Sequence, residues 1–153
     1  MPRLLGVDYG ERRIGLAISD PTGTLATPLE ELDARQPREM MRRIAELCRE
    51  RQVTGLVVGL PINMNGTEGP SAQAARAFAE KLRTALGLPV ELADERFSSV
   101  TANQALILGG TRREQRKEVV DKLAAQILLQ HHLDRMTHPS TEPYAAEDDP
   151  MNQ

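Results

Sequence analysis

Apolar residues at the start of the chain form two short runs, Leu4–Val7 and Ile14–Ile18, with the turn Gly10–Arg13 between them. Short apolar runs on both sides of such a turn are typical of antiparallel strands, so the pattern predicts an opening hairpin. A third short strand is expected over Thr24–Leu29, with Pro28 at its end. The first part of the chain is therefore predicted to form a three-stranded meander.

The middle of the chain alternates between helical and extended patterns. Pro37 and Pro70 suit the first turn of a helix, and apolar residues recur behind each of them at helical spacing. The continuous apolar run Leu56–Val58 is typical of a strand covered on both faces, and Val90–Ala93 predicts another short strand. The expected buried residues are Met40, Met41, Ile44, Leu47 and Cys48 in the first helix and Ala74, Phe78, Leu82 and Ala85 in the second.

Two further helices complete the predicted order of elements. Ser98 or Ser99 can cap a helix that ends at Gly109–Gly110, and a charged linker, TRREQRK, separates it from a last helix at about Glu118 to Met136. The resulting order is β-β-β-α-β-α-β-α-α. This order predicts an α/β fold in which a mixed five-stranded sheet carries helices on both faces.

Composition limits the class of protein. The 153 residues, 40% of them hydrophobic, suffice for one domain at 1–137, and the aperiodic acidic stretch 138–153 is predicted to be a disordered tail. A single cysteine, Cys48, excludes an internal disulfide framework, and no apolar run is long enough to span a bilayer, so we expect a cytoplasmic protein. Without the four acidic residues of the tail, the net charge of −3 becomes nearly neutral, with 19 basic and 18 acidic side chains. Overall charge therefore gives no evidence for a polyanionic partner, and an argument for one depends on where the charges lie.

Carboxylates on three predicted elements could meet at one edge of the sheet. Asp8 ends the first strand, Asp94 and Glu95 directly follow a later strand, and Asp121 is expected one turn into the last helix, where the helix dipole favours its ionised form. Converging acids repel each other unless a cation lies between them, and oxygen ligands without a Cys or His cluster favour Mg²⁺ or Mn²⁺. Structural alternatives stay open, because Asp121 could simply balance the helix dipole or pair with Lys117 four residues earlier, and Asp94–Glu95 could be a strand-end turn.

Basic residues lie close to these acids in sequence, and a ring of Arg suits a phosphodiester backbone because guanidinium binds phosphate bidentately. The candidates for nucleic-acid binding are Arg12, Arg13, Arg96, Arg112, Arg113, Arg116 and Lys117. In the loop Pro61–Gly66, Asn63 is a further candidate for contacting a phosphate or a base, although an ordinary Asn/Gly turn explains the loop equally well. Asp20 is expected roughly 20 Å from Asp8, at the other end of the hairpin, as a turn residue.

Four sequence blocks, GVDYGERRIGLAISD, VVGLPINMNGTEGP, DERFSS and VVDKLAAQILLQHHLD, occur in this order up to Asp134. Together they resemble the YqgF/RuvX family of bacterial RNase H-like proteins. The resemblance implies an RNase H-like fold and a metal-dependent nuclease that acts in ribosome biogenesis, in maturation of the 5′ end of pre-16S rRNA. Relatives described as Holliday-junction-resolvase-like keep branched DNA as an alternative substrate.

The same resemblance implies the residues of the site. Asp8, Glu95 and Asp121 would be the catalytic metal ligands, with Glu95 preferred over Asp94, and would hold two Mg²⁺ or Mn²⁺ ions when nucleic acid is bound. Two other classes stay open, a non-catalytic nucleic-acid-binding module and an actin-like, ATP-binding phosphotransferase whose phosphate loop also follows a strand with D-x-G. The chain could act as a monomer or as a homodimer.

Overall fold

The computed structural model describes residues 3–94 and the helix 113–137, the latter with its side chains at 123–136. The elements in these residues are, in chain order, β1 (Leu4–Tyr9), β2 (Arg13–Ser19), β3 (Ala26–Asp33), α1 (Pro37–Glu50), β4 (Gly55–Leu60), α2 (Pro70–Leu86), β5 (Val90–Asp94) and α3 (Arg113–Thr137). The helix predicted after Ser98 or Ser99 and the tail predicted at 138–153 lie outside the described residues.

The five strands form one mixed sheet in the order β3-β2-β1-β4-β5. β2 is antiparallel to both of its neighbours, as expected for a meander with short connections. β4 is parallel to β1 and to β5, because α1 and α2 return the chain to the edge from which each strand starts. The predicted α/β fold with a mixed five-stranded sheet is confirmed.

Alternation along the strands divides the core into two layers. Leu5 and Val7 of β1 face α1 and α2, whereas Gly6 lies on the other face of the sheet, against α3. All six residues of β4 are buried, which agrees with a strand covered on both faces. We call the two sides of the sheet the α1/α2 face and the α3 face.

Both helices that were predicted to begin at a proline do so, at Pro37 and Pro70, and Gly87 ends α2 with a left-handed φ of 67°. The predicted buried side of α2 is partly wrong, because Ala74 and Ala85 are exposed. The residues of α2 that are buried are Ala72, Ala75, Phe78, Ala79 and Leu82. Alanine occurs at so many positions of this helix that helical spacing alone does not select the ones that pack on the sheet.

β3 differs most from the prediction among the strands. It spans Ala26–Asp33 instead of Thr24–Leu29. Pro28 lies inside it, opposite Ala17 and next to a register shift at which Leu29 is the extra residue of β3. A strand at the edge of a sheet tolerates proline because one side of its backbone needs no hydrogen-bonding partner. The longer strand carries the chain as far as Asp33, level with the start of β2.

The last helix also begins earlier than predicted, at Arg113 instead of about Glu118, so the segment read as a charged linker is largely helical. Asp121 is therefore more than two turns inside α3. The helix dipole acts within the first turn, so the prediction that a helix N-terminus stabilises ionised Asp121 is wrong. Within the described part of the chain, no helix is long and apolar enough to cross a membrane.

Candidate functional site

The ends of the three parallel strands β1, β4 and β5 meet at one side of the sheet, which we call the carboxyl edge. Val7 of β1 is level with Val58 of β4, and Leu60 of β4 is level with Asp94 of β5. Asp8 is the next-to-last residue of β1. The strand carrying Asp8 and the strand carrying Asp94 therefore end at the same edge, as the sequence predicted.

Asp8 lies on the α3 face of the sheet. It is two residues from Gly6, which packs against Ala125 and Leu129 of α3, and side chains two residues apart on a strand share a face. Asp8 is half-buried, and its register partner in β2 is Gly15, a residue without a side chain. A carboxylate at such a position is shielded enough to favour a charged or hydrogen-bonding partner.

Contacts on the opposite face fix the end of β1. Tyr9 stacks on Phe78 of α2, with ring centroids 4.5 Å apart and ring planes at 23°. The turn after Tyr9 is tight, since a Cβ added to Gly10 would lie 2.8 Å from the carbonyl oxygen of Arg13. The stack and the turn hold the backbone on both sides of Asp8.

The direction of α3 follows from its hydrogen bonds to β3. The side-chain amide of Gln130 donates to the carbonyl of Thr24 at 2.9 Å, and its oxygen accepts from the amide of Ala26 at 2.9 Å. One turn earlier in the helix, Gln126 donates to the carbonyl of Ala26 at 3.1 Å. The helix therefore runs antiparallel to β3: going back toward the start of α3 corresponds to going forward along β3. β3 runs in the same direction as β1. The start of α3 therefore points toward the carboxyl edge.

Helical and strand spacing together relate position 121 to Asp8. A Cβ on Gly6 would lie 2.9 Å from Cβ of Leu129 and 3.3 Å from the carbonyl oxygen of Ala125. Position 121 is one turn before Ala125, about 6 Å along the helix axis, and Asp8 is about 6.6 Å beyond Gly6 along the strand. The backbone of Asp121 is therefore carried to about the level of Asp8, while its side chain lies outside the described residues.

Asp94 is not brought to the same face as Asp8. It lies two and four residues after Leu92 and Val90, which pack into the cluster on the α1/α2 face, so Asp94 shares that face with them. The intervening Ala93 packs with the cluster on the α3 face. Glu95, the preferred ligand of the pair, lies outside the described residues.

The predicted basic residues are only partly within the described part of the chain. Arg12 and Arg13 lie at the turn between β1 and β2, on the carboxyl edge, and a guanidinium nitrogen of Arg13 is 4.0 Å from the carboxylate of Glu31. Arg96 and Arg112 are outside the described residues. Arg113, Arg116 and Lys117 belong to the first turns of α3, with side chains that are likewise not described.

The loop after β4 is organised by its own polar side chains. The Asn63 amide donates to the hydroxyl of Thr67 at 3.0 Å, and the Asn65 side-chain oxygen accepts from the hydroxyl of Thr67 at 2.7 Å and from its backbone amide at 3.1 Å. These bonds agree with an ordinary Asn/Gly turn. A contact from Asn63 to a phosphate or base stays a prediction.

Asp20 is a turn residue, as predicted. It follows β2 at the end opposite the carboxyl edge, where its carboxylate accepts bonds from the Thr22 hydroxyl and from the amides of Thr24 and Leu25. The bond from Thr22 and those from the two amides lower the pKa of Asp20 to about 2. Its oxygens are thus committed to a local turn.

Neither a metal cluster nor a reactive thiol is found in the described residues. Within residues 3–94 and 123–136, no three His, Cys, Asp or Glu side chains are grouped so that they could hold a metal ion. Two of the three predicted ligands, Glu95 and Asp121, have side chains outside these ranges, so the predicted metal site stays a prediction. Cys48 is buried, and burial raises the pKa of its thiol to about 11, as suits a small core residue.

The sequence did not single out Asp33 and Arg35, which also lie at the carboxyl edge. Arg35 donates from Nε and Nη2 to the two carboxylate oxygens of Asp33, at 3.0 and 3.2 Å. The predicted end of β3 at Leu29 hid them, because only the full length of that strand brings Asp33 level with Arg13. The sequence signal that could have found this pair is an Asp and an Arg two residues apart, directly after a strand extended beyond Leu29.

Comparison with known proteins identifies the family of the chain and proteins of similar fold. The RuvX family model, described as a Holliday junction resolvase, matches residues 2–135. A relative from Pelotomaculum thermopropionicum, named "Putative pre-16S rRNA nuclease", is 46% identical over 141 residues, which cover 92% of each chain. A relative of the same name from a Ruegeria species is 44% identical over 138 residues, 90% of this chain and 88% of the relative.

Among solved structures, Thermus thermophilus RuvC in complex with a Holliday junction substrate is similar in fold, with a TM-score of 0.55 and 17% identity, covering 90% of this chain and 96% of that chain. A second Thermus thermophilus RuvC structure gives a TM-score of 0.53 over 88% of this chain and 96% of that chain, also at 17% identity. The predicted RNase H-like fold is thereby confirmed. The match over residues 2–135 and the identities of 44–46% show that the chain belongs to the RuvX family.

Proposed function

We propose that this chain is a metal-dependent endonuclease that hydrolyses phosphodiester bonds in the maturation of the 5′ end of pre-16S rRNA. The observation that carries the proposal is the identity of 44–46%, over about nine tenths of the chain, to relatives that bear the name of a pre-16S rRNA nuclease. An enzyme of ribosome maturation would act in the cytoplasm, on structured RNA.

Three carboxylates would hold the metal, those of Asp8, Glu95 and Asp121. Support comes from the position of Asp8 on the α3 face at the carboxyl edge and from the direction of α3, which carries the backbone of Asp121 to that level. Asp94 shares the α1/α2 face with Val90 and Leu92, away from Asp8, so the proposal keeps Glu95, which the family resemblance implies, as the ligand of the pair. Carboxylate oxygens suit Mg²⁺ or Mn²⁺, and these three would hold the pair of ions that a two-metal nuclease uses.

The chain's own residues have distinct roles in this proposal. Asp8, held by the Tyr9–Phe78 stack and the tight turn at Gly10, would be the fixed ligand around which the others assemble. Divalent ions bound there would supply an activated water and stabilise the leaving 3′-oxygen. The phosphate backbone would be bound by Arg12, Arg13, Arg96, Arg112, Arg113, Arg116 and Lys117, with Asn63 as a further contact.

A second candidate is the resolution of Holliday junctions. It is favoured by the description of the RuvX family model, while the likeness to RuvC at 17% identity supports the shared fold alone. A resolvase must cut two strands symmetrically, which requires two active sites related by a two-fold axis. This candidate therefore predicts a homodimer on the junction, whereas RNA processing requires only a monomer.

The test of the site compares two Asp→Asn variants at opposite ends of the same hairpin. Asp8→Asn should abolish Mg²⁺- or Mn²⁺-dependent cleavage while leaving the thermal midpoint unchanged or raised, because it removes a ligand and a partly buried charge. Asp20→Asn is the matched control and should retain cleavage. EDTA should stop cleavage by the wild-type chain. If Asp8→Asn still cleaves at the wild-type rate, Asp8 is not a ligand.

Substrate preference is tested by offering a pre-16S rRNA 5′ leader fragment and a four-way DNA junction to the same preparation. Faster, Asp8-dependent cleavage of the RNA supports rRNA maturation. Symmetric nicking of the junction by a dimer, with the RNA left intact, supports the resolvase instead. Binding of both substrates without any turnover in either metal would favour a non-catalytic binding module.

A further inference from the structure

A cleft of about 250 Å³ lies at the carboxyl edge beside β1, between the β1–β2 turn and the end of β3. We call it the arginine cleft. Its lining consists of three arginines, two acids and one leucine, namely Arg12, Arg13, Glu31, Leu32, Asp33 and Arg35. Counting these side chains gives a net charge of +1, in a protein whose overall net charge is −3.

The backbone fixes both walls of the arginine cleft. Arg13 of β2 is the register partner of Asp33 of β3. The amide of Ala34 donates to the carbonyl oxygen of Arg12 at 2.8 Å, which ties the segment after β3 to the β1–β2 turn. Arg12 also lies close enough to Asp33 to contribute to the lowered pKa of that carboxyl, behind the larger effect of Arg35. The cleft is therefore a fixed feature of the edge.

The arginine cleft adjoins Asp8 on the α3 face. Gly15 is the register partner of both Asp8 and Glu31, so these two acids flank a residue without a side chain. With strands ~4.8 Å apart and a rise of ~3.3 Å per residue, the backbones of Asp8 and Arg13 are about 8 Å apart. One phosphodiester strand can contact both at that separation.

Arg35 keeps donors for a ligand although it is paired. A guanidinium has five N–H donors, and Arg35 uses Nε and one edge of Nη2 for Asp33. Among the described residues, the Nη1/Nη2 edge is left for a ligand. The side chain is 62% exposed, so a phosphate can approach it. The Asp33 carboxylate meanwhile holds the guanidinium plane in one orientation, which lowers the entropy lost when a second acceptor binds.

We propose that the arginine cleft is a phosphate-binding subsite for the nucleic-acid strand that flanks the bond to be cut, with Arg35 as its outermost contact. Asp33 and Glu31 are positioning residues that orient Arg35 and Arg13. This subsite rests on the proposed nuclease function, because its ligand is the backbone of that enzyme's substrate.

The experiment measures binding of a labelled RNA stem-loop with single-stranded flanks, in EDTA to prevent cleavage, over a series of salt concentrations. The variants are Arg35→Gln and Arg12→Gln, and the second leaves the Asp33–Arg35 pair intact. The matched control is Arg49→Gln, which removes the same charge from an exposed position in the last turn of α1, at the opposite edge of the sheet. Thermal midpoints of all three verify that they are folded.

Each cleft variant should bind the RNA roughly fivefold more weakly than the control, and the slope of log affinity against log salt should fall by about 0.7–0.9, the value for one lost phosphate contact. If both variants match Arg49→Gln in affinity and slope while the wild-type chain cleaves RNA, the subsite is overturned and the nuclease function stands. A wild-type chain that neither binds nor cleaves the RNA or a four-way DNA junction overturns both.

Discussion

The close approach of α3 to β1 at Gly6 is the contact that most directly links the fold to the candidate site. A Cβ added at Gly6 would lie 2.9 Å from Cβ of Leu129 and 3.3 Å from the carbonyl oxygen of Ala125. Neither atom can move by a simple side-chain rotation, because one is attached to the helix backbone and the other belongs to it. Gly6→Ala must therefore push α3 away from the sheet.

The size of the effect follows from two opposing contributions. Overpacking in a well-packed core costs about 1–3 kcal/mol. Replacing a strand glycine by alanine returns about 0.4–1 kcal/mol by reducing the entropy of the unfolded chain. The free energy of unfolding should thus fall by about 1–2 kcal/mol, and for a chain of this size the thermal midpoint should fall by about 3–6 °C.

Urea and thermal unfolding followed by circular dichroism measure this change, with Gly55→Ala as the matched control. Gly55 is also a strand glycine, but its added Cβ would lie 3.2 Å from Cδ2 of Leu4, the end of a flexible side chain. We expect the control to stay within about 0.5 kcal/mol of the wild type. Gly6→Ala should also reduce cleavage at temperatures where it is fully folded, because α3 carries Asp121. A Gly6→Ala variant as stable as Gly55→Ala would refute the argument from close packing.

Two further predictions concern pH. Burial lowers the pKa of His132, and the attraction of Glu91 at 3.8 Å offsets this only in part, so the folded state favours the neutral imidazole. The resulting stability is fully present above about pH 6.5 and is lost as the pH falls below it. His132→Gln should therefore flatten the pH dependence of urea unfolding in that range, and an unchanged slope would contradict this. The hydrogen bonds that lower the pKa of Asp20 to about 2 stabilise the turn above the ordinary pKa of 3.8 and lose their effect as the pH falls toward 2. Acid unfolding of Asp20→Asn, followed by circular dichroism, should therefore depend less on pH in that interval than unfolding of the wild type. An identical profile would show that the turn contributes nothing.

The sequence was sufficient to predict the elements whose signals are local. The hairpin at Gly10–Arg13, the helix starts at Pro37 and Pro70, and the stop at Gly87 each depend on a backbone preference of the residue itself. The buried strand Gly55–Leu60 follows from a continuous apolar run. An antiparallel hairpin followed by alternating helices and strands predicts a sheet with both antiparallel and parallel strand pairs, in which helices connect the parallel strands.

Elements whose limits depend on tertiary contacts were predicted less well. β3 passes through Pro28 because, among the described strands, it lies at the edge of the sheet, and an edge position cannot be read from a single segment. α3 begins at Arg113 in a run of charged residues that lacks an apolar period. The prediction relied on the helical spacing of apolar residues, and the charged residues at 113–118 do not carry that spacing.

The candidate site was predictable to the extent that it depends on strand ends. Asp8 could be assigned to the carboxyl edge from the hairpin alone, and Asp20 could be excluded in the same way. The preference for Glu95 over Asp94 came from the family resemblance and stays a prediction, because Glu95 lies outside the described residues. Asp94 itself shares a face with Val90 and Leu92, away from Asp8. Arg35 was missed because its place at this edge depends on the full length of β3.

Small residues on the α3 face explain why a single acid on β1 can be approached from several elements. Gly6 of β1 and Ala17 of β2 are register partners, and both pack under α3 with Ala125. This lets the helix lie closer to the sheet than larger side chains would allow. Gly15 then continues the row beside Asp8, between that acid and Glu31. The small residues thus set how far α3 and the arginine cleft stand from Asp8, so substitutions among them should alter cleavage even though none of them is a ligand.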